Sequence, residues 1–265
     1  MGKRFVRGVG VVLCACALSL GSGREAGAKT TDQSDLWWIP LESGWGVQFV
    51  QQETTIFATL FVYDANGKPT WYVATLSYQG NFLWTGTLYA TTGPWFGTVP
   101  FDQSTVVPTA VGQMNFAGQF IDQGLLIYTV NGVTVTKTVE RQNLVTINFG
   151  GQYAGTLSET GVCSVPVNIP ATPAAVTIAQ SGSSATLTIQ TSADTCTFPG
   201  TYTQGGHLGE LTGSYSCASG DSGTFVIAEM AASFYDFRAR TILTSNSGCL
   251  IKGYVDGLKQ PPPPQ

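Results

Sequence analysis

Residues 55–78 read TIFATLFVYDANGKPTWYVATLSY. Two runs rich in β-branched and aromatic side chains, the types that pack well on a pleated surface, flank a polar break that holds Asn66-Gly67. That dipeptide accepts the left-handed backbone of a tight hairpin turn, so the stretch predicts two antiparallel strands. The pattern recurs at 125–130 and 133–139 around Asn131-Gly132. In 133–139, VTVTKTV, Val shares one face and Thr the other, with Lys137 the exception on the Val side. Further on, ATLTIQT (185–191) alternates Leu187 and Ile189 against Thr186, Thr188 and Gln190. Gly-x-Tyr recurs at Gly151-Gln152-Tyr153, Gly200-Thr201-Tyr202 and Gly213-Ser214-Tyr215, a loose echo compatible with strand starts. Turn signals every 8–12 residues or so belong to a β-sandwich or barrel.

Composition agrees. Charged residues make up 11% and Gly numbers 32 in a chain of 265, which suits hairpins and excludes long helices and disorder. All six Trp lie between Trp37 and Trp95, and the four Cys outside the N-terminal segment follow residue 160. This shift divides the chain near Glu140-Arg141-Gln142-Asn143 into a Trp-rich unit (29–142) and a Cys-containing unit (143–258), followed by a Pro-rich tail (259–265). The fold class is therefore all-β, with two small antiparallel sandwich or barrel-like domains.

Residues 1–28 have the marks of a signal peptide. Lys3, Arg4 and Arg7 precede the apolar run VGVVLCACALSL (9–20), too short for a membrane span, and Ala26-Gly27-Ala28 offers a cleavage site. An alternative processing would lipidate Cys16. Either way the expected location is outside the cytoplasm, periplasmic or extracellular, with no transmembrane span after processing. Beyond Ala28, eight Lys and Arg face fifteen Asp and Glu, a formal charge of −7. No basic stripe remains to attract nucleic acid or an anionic membrane. Cys163, Cys196, Cys217 and Cys249 read as two disulfides with three possible connectivities. Their similar separations favour Cys163–Cys196 and Cys217–Cys249. A single His and no C-x-x-C pair leave no zinc site, and no other metal or cofactor is called for.

The first unit also carries a series of short motifs. Trp38-x-Pro40-x-Glu42-Ser43-Gly44-Trp45-Gly46 leads to Tyr63-Asp64-Ala65-Asn66-Gly67-Lys68-Pro69-Thr70-Trp71-Tyr72. Gly86-Thr87-Leu88-Tyr89, Thr92-Gly93-Pro94, Phe101-Asp102, Tyr128-Thr129-Val130-Asn131-Gly132 and Arg141-Gln142 follow. Over about residues 36–142 this resembles an uncharacterised Trp/Gly-rich β-module of exported proteobacterial proteins. The resemblance implies a secreted, all-β, non-catalytic accessory or binding module, and supplies no catalytic residues. The second half resembles no named family.

Candidate chemistry concentrates on the aromatics. Trp37, Trp38, Trp71, Tyr72 and Trp95 could stack on a flat ligand such as a sugar. Alternation restricts them, since Trp37 and Trp38, or Trp71 and Tyr72, must point to opposite faces of one strand. Trp45, between two Gly, reads as the closure of a corner. Gly220-Asp221-Ser222-Gly223 matches the core of a trypsin-like nucleophile motif. The lone His207 lies only fifteen residues upstream, so the stretch is a turn and His207 a solvated loop residue. Asp64-x-Asn66-Gly67 lacks the acidic residue that would complete a calcium loop. Glu229 shares an apolar strand face with Phe225 and Ile227, which predicts a cross-strand ion pair with Arg238. Glu42, Asp64, Asp102 and Asp122 are the carboxylates a glycosidase would need, but each sits close to a turn residue. The reading that follows is an exported binding or interaction module of the cell envelope or exterior. Its partner would be a glycan or an envelope protein. The alternatives are a purely structural envelope protein and a glycan-acting hydrolase.

Overall fold

The computed structural model describes residues 31–163 and 166–261. The expected signal segment, with Cys14 and Cys16, and the end of the Pro-rich tail lie outside them. Among the described residues no helix is long and apolar enough to cross a membrane. The chain forms two closed eight-stranded antiparallel barrels, each with neighbouring strands paired in sequence order and the last closing on the first.

The first barrel comprises β1 (Asp35–Trp38), β2 (Gly46–Gln52), β3 (Thr55–Tyr63), β4 (Pro69–Tyr78), β5 (Leu83–Thr92), β6 (Val107–Gly118), β7 (Gln123–Val130) and β8 (Val133–Arg141). Its alternate side chains fill the interior. Trp37, Phe49 and Phe116 form an aromatic cluster with ring centroids 4.7–6.3 Å apart. Leu60, Leu76, Leu88, Met114 and Leu126 pack around it. The outer face mixes Thr, Gln and Ser with exposed Val50, Phe57 and Trp71. Closure depends on a short seam. β1 meets β8 only at Trp37↔Arg141 and Trp38↔Glu140.

The second barrel comprises β9 (Gly151–Val162), β10 (Val167–Ser181), β11 (Ser184–Gln190), β12 (Thr195–Gly205), β13 (Leu208–Cys217), β14 (Ser222–Ala232), β15 (Asp236–Ser245) and β16 (Leu250–Lys259). Lys259, assigned to the tail from sequence, pairs with Tyr153 and belongs to β16. The three Gly-x-Tyr echoes have a packing cause, and only the first is a strand start. Tyr153, Tyr202 and Tyr215 are all buried. Gly200 and Gly213 are cross-strand partners, and the Phe225 ring lies 3.1–3.2 Å from where either Cβ would stand. Small residues thus leave room for large ones, as the interior of a narrow barrel requires.

Both disulfides lie at the end of this barrel remote from the first, and they correct the pairing favoured by sequence separation. Cys196 bonds Cys217, and Cys163 bonds Cys249. Strand adjacency decides the matter. Cys196 and Cys217 face each other on β12 and β13, while Cys163 follows β9 and Cys249 precedes β16, its neighbour. Two such bonds belong to an oxidising compartment.

Peptide mapping without reduction should recover these two pairs, and a Cys163–Cys196 peptide would contradict the strand order. Loop closure favours the wider link. Sequence separations of 21 and 86 correspond to about 3 and about 4.5 kcal/mol respectively. Denaturant unfolding of the Cys163→Ala/Cys249→Ala variant should therefore show the larger loss.

Candidate functional site

Antiparallel order sorts the connections of the first barrel to two ends. Residues 53–54, 79–82 and 119–122 lie at the near end, toward the second barrel. Residues 39–45, 64–68, 93–106 and 131–132 lie at the far end. Each end carries a cation on the inward face of β8. Val135, Lys137, Val139 and Arg141 share one alternating face, and Lys137, between Val135 and Val139, is the polar exception on the Val side that the sequence pattern expects.

At the near end Arg141, fully buried, lies 4.7 Å from the Trp37 ring centroid. Its Nη1 donates to Asp35 Oδ2 at 2.9 Å, and its Nη2 to the Asp32 carbonyl at 2.6 Å. The Trp37 indole donates to the Gln33 carbonyl at 3.0 Å. Trp37 is therefore a core residue and not a ligand contact, while Trp38 faces the other way and is half-buried. Asp35 also reaches the second barrel. His207 Nδ1 lies 2.7 Å from Asp35 Oδ2, and Nε2 lies 3.4 Å from Asp32 Oδ2. His207 is thus no free loop residue. Gly206, at φ +59°, turns the β12–β13 connection, and its N–H donates to Asn143 Oδ1 at 2.7 Å. Hydrogen bonds to Asp32 and then Asp35 push the imidazole pKa up to about 9. Burial raises the Asp32 pKa, but bonds from His207 and Ser34 outweigh it and bring the carboxyl down to about 2.

At the far end the 3₁₀ turn Pro40–Glu42 brings Glu42 to the mouth of the barrel. Lys137 Nζ lies 2.6 Å from Glu42 Oε2 and 5.6 Å from the Trp45 ring centroid. The Trp45 indole donates to the same carboxylate at 3.1 Å. Lys137 holds the Glu42 carboxyl below its usual range. Tyr72 is half-buried against the core, and burial, then Glu42, raises the Tyr128 hydroxyl. Around this mouth the surface is apolar. Trp71 is 52% exposed, Trp95 69%, Phe96 89% and Val99 91%. Leu41 and Phe101 are also exposed. Of the five aromatics singled out by sequence, Trp71, Tyr72 and Trp95 lie toward this end. Phe96, Val99 and Phe101, which sequence reading passed over, share the 93–106 connection with Trp95.

The remaining candidates resolve into local structure. Asp64 Oδ1 accepts from the Asn66 and Lys68 N–H groups, as a turn residue does. Asp102 caps the short 3₁₀ turn Gln103–Thr105 through Ser104. Asp221 accepts from the Tyr215 hydroxyl at 2.8 Å, so Gly220-Asp221-Ser222-Gly223 is a turn bonded to its own hairpin. Glu229 does not pair with Arg238. The β14–β15 register shifts between Ala228 and Ala231, and Glu229 takes φ +53°. This bulge turns Glu229 off the face of Phe225 and Ile227, and Met230 enters the core instead. Glu229 then meets Arg240 at 3.4 Å and accepts from Thr31 Oγ1 at 2.7 Å. No family model matches this chain, and no curated protein matches it.

The ion cluster at the near end makes a directional claim about pH. His207 stabilises the fold fully below its unfolded pKa of 6.5, and that contribution is lost as pH rises through about 9. Asp32 contributes above 3.8 and loses its share as pH falls toward about 2. Differential scanning calorimetry from about pH 7 to about pH 10 should show a fall in Tm that His207→Gln reduces. Identical pH profiles would contradict the assignment.

Proposed function

We propose that this protein is an exported, non-catalytic interaction module of the bacterial envelope or exterior. It docks on an envelope protein through the far end of its first barrel. The observation that carries this reading is the exposure of Trp95, Phe96, Val99 and Phe101 on one connection, with Trp71 and Leu41 at the same end. A water-soluble surface that gathers large apolar side chains in one place is suited to burying them against a partner. The aliphatic members, Leu41 and Val99, favour a protein surface over a sugar ring, which would use the aromatic faces alone. The carboxylates at this end support a non-catalytic role. Glu42, Asp64 and Asp102 are all held below their usual pKa range, by Lys137, by the Lys68 and Asn66 N–H groups and by Ser104 respectively. None has the raised pKa of a general acid.

A photo-crosslinking residue placed at Trp95 in cells should capture one discrete envelope protein. The same residue at Asn246, at the opposite end of the molecule, should not capture it. Phe96→Ser with Phe101→Ser should reduce capture about tenfold or more, the loss expected when two central apolar anchors are removed. Equal capture from both positions, or none from Trp95, would overturn the reading.

A further inference from the structure

A cleft lies at the junction of the two barrels, away from the apolar end. It has a volume of about 780 Å³, with His207, Glu229, Arg238, Arg240, Tyr254 and Asp256 among its lining residues. A smaller pocket of about 190 Å³ adjoins it and includes Phe82 and Phe120 in its walls. Glu229 and Arg240 line both. The pair therefore stands at the centre of one groove, with Tyr254 on one side and Phe82 and Phe120 on the other.

The backbone is arranged to put it there. The β14 bulge holds Glu229, a non-glycine residue, at φ +53°, a conformation that persists where surrounding structure imposes it and that recurs at ligand sites. A regular strand would have sent this side chain into the core. Its Oε1 is bonded by Thr31 and faces Arg240, which leaves Oε2 to accept. Arg240 Nε is buried without a hydrogen-bond partner among the described residues. The Arg238 side chain, next along the strand face and exposed, forms no hydrogen bond or ion pair among the described residues. The groove thus offers adjacent donors and acceptors on planar side chains, between exposed aromatic rings.

We propose that this junction groove binds a short, neutral oligosaccharide. Vicinal hydroxyls donate and accept at once, and so match a carboxylate beside a guanidinium. Sugar rings present C–H faces to aromatic side chains. The other ligand classes fit less well. Acidic polymers meet a chain of net negative charge and the carboxylates of Asp32, Glu229 and Asp256 in the same cleft. An extended peptide finds no open strand edge in this groove, because β14, β15 and β16 are each paired on both sides. The volume lies within the range of small-ligand sites, roughly 300–1,000 Å³. This site is separate from the apolar far end and does not depend on it.

The test is isothermal titration calorimetry of the purified protein with cellohexaose, xylohexaose, maltohexaose and chitohexaose. At least one should bind, and Glu229→Gln and Tyr254→Ala should each weaken it by about tenfold or more. Near-UV circular dichroism of both variants should match the wild type. Trp71→Ala and Trp95→Ala, at the far end, should leave the affinity unchanged. Failure of all four sugars to bind at millimolar concentration would overturn the proposal. So would binding that survives both groove variants or is lost with the far-end ones. Neither result bears on capture of a partner at Trp95.

Discussion

Arg141 under the ring of Trp37 is the interaction on which the two-barrel arrangement turns. The first barrel closes through a seam of only two paired positions, too little backbone pairing to hold by itself. Arg141 extends that seam inward. Its guanidinium packs on the indole and takes up the Asp32 carbonyl, the Gln33 side chain and the Asp35 carboxylate. A cation buried this deeply is tolerable only because these acceptors surround it. The segment ahead of β1 is thereby fixed against the barrel wall, with Asp32 and Asp35 facing His207 of the second barrel. One buried ion pair thus links the closing seam of one barrel to the carboxylate that meets His207 of its neighbour.

Closed barrels with packed interiors leave function few places to go. Inside the first, Trp37, Trp84 and Phe116 occupy the space that a ligand-carrying barrel would keep open. Inside the second, the interior is equally filled, and among the described residues Glu159, Thr241 and Ser245 are its buried polar side chains. Glu159 is buried near the disulfide end, where burial raises its carboxyl pKa and Thr241 donates to it at 3.1 Å. Binding is left to the connections and to the junction, where rigid strands hold irregular backbone. The apolar 93–106 connection and the bulged Glu229 are two such places.

Local signals in the sequence were sufficient for the strands and much of the turn chemistry. Gly67 and Asn131-Gly132 turn the chain where expected because the left-handed conformation they adopt is a property of those residues. Non-local properties were not legible. The choice between sandwich and barrel, and the pairing of Cys196 with Cys217, depend on which strands become neighbours, and similar sequence separations carry no information about that. Glu229 was misplaced because alternation holds only where the register is unbroken, and nothing in FVIAEM announces a bulge. Lys137 and Arg141 were closer to hand. Both fall on the Val face of β8, and the alternation that places Val139 in the core turns them inward as well. Among the aromatics, alternation required Trp37 and Trp38 to diverge but could not say which faced inward.

The docking surface depends on which tryptophans meet solvent in the free protein, and acrylamide quenching of tryptophan fluorescence reads this directly. The most quenchable fraction of the emission should disappear when Trp71 and Trp95 are both changed to Phe, leaving the protected emission of buried Trp37 and Trp84 and the weaker quenching of half-buried Trp38 and Trp45. If quenching is unchanged in that double variant, or disappears instead with Trp37→Phe, the apolar end is not the exposed surface described and the docking reading fails with it.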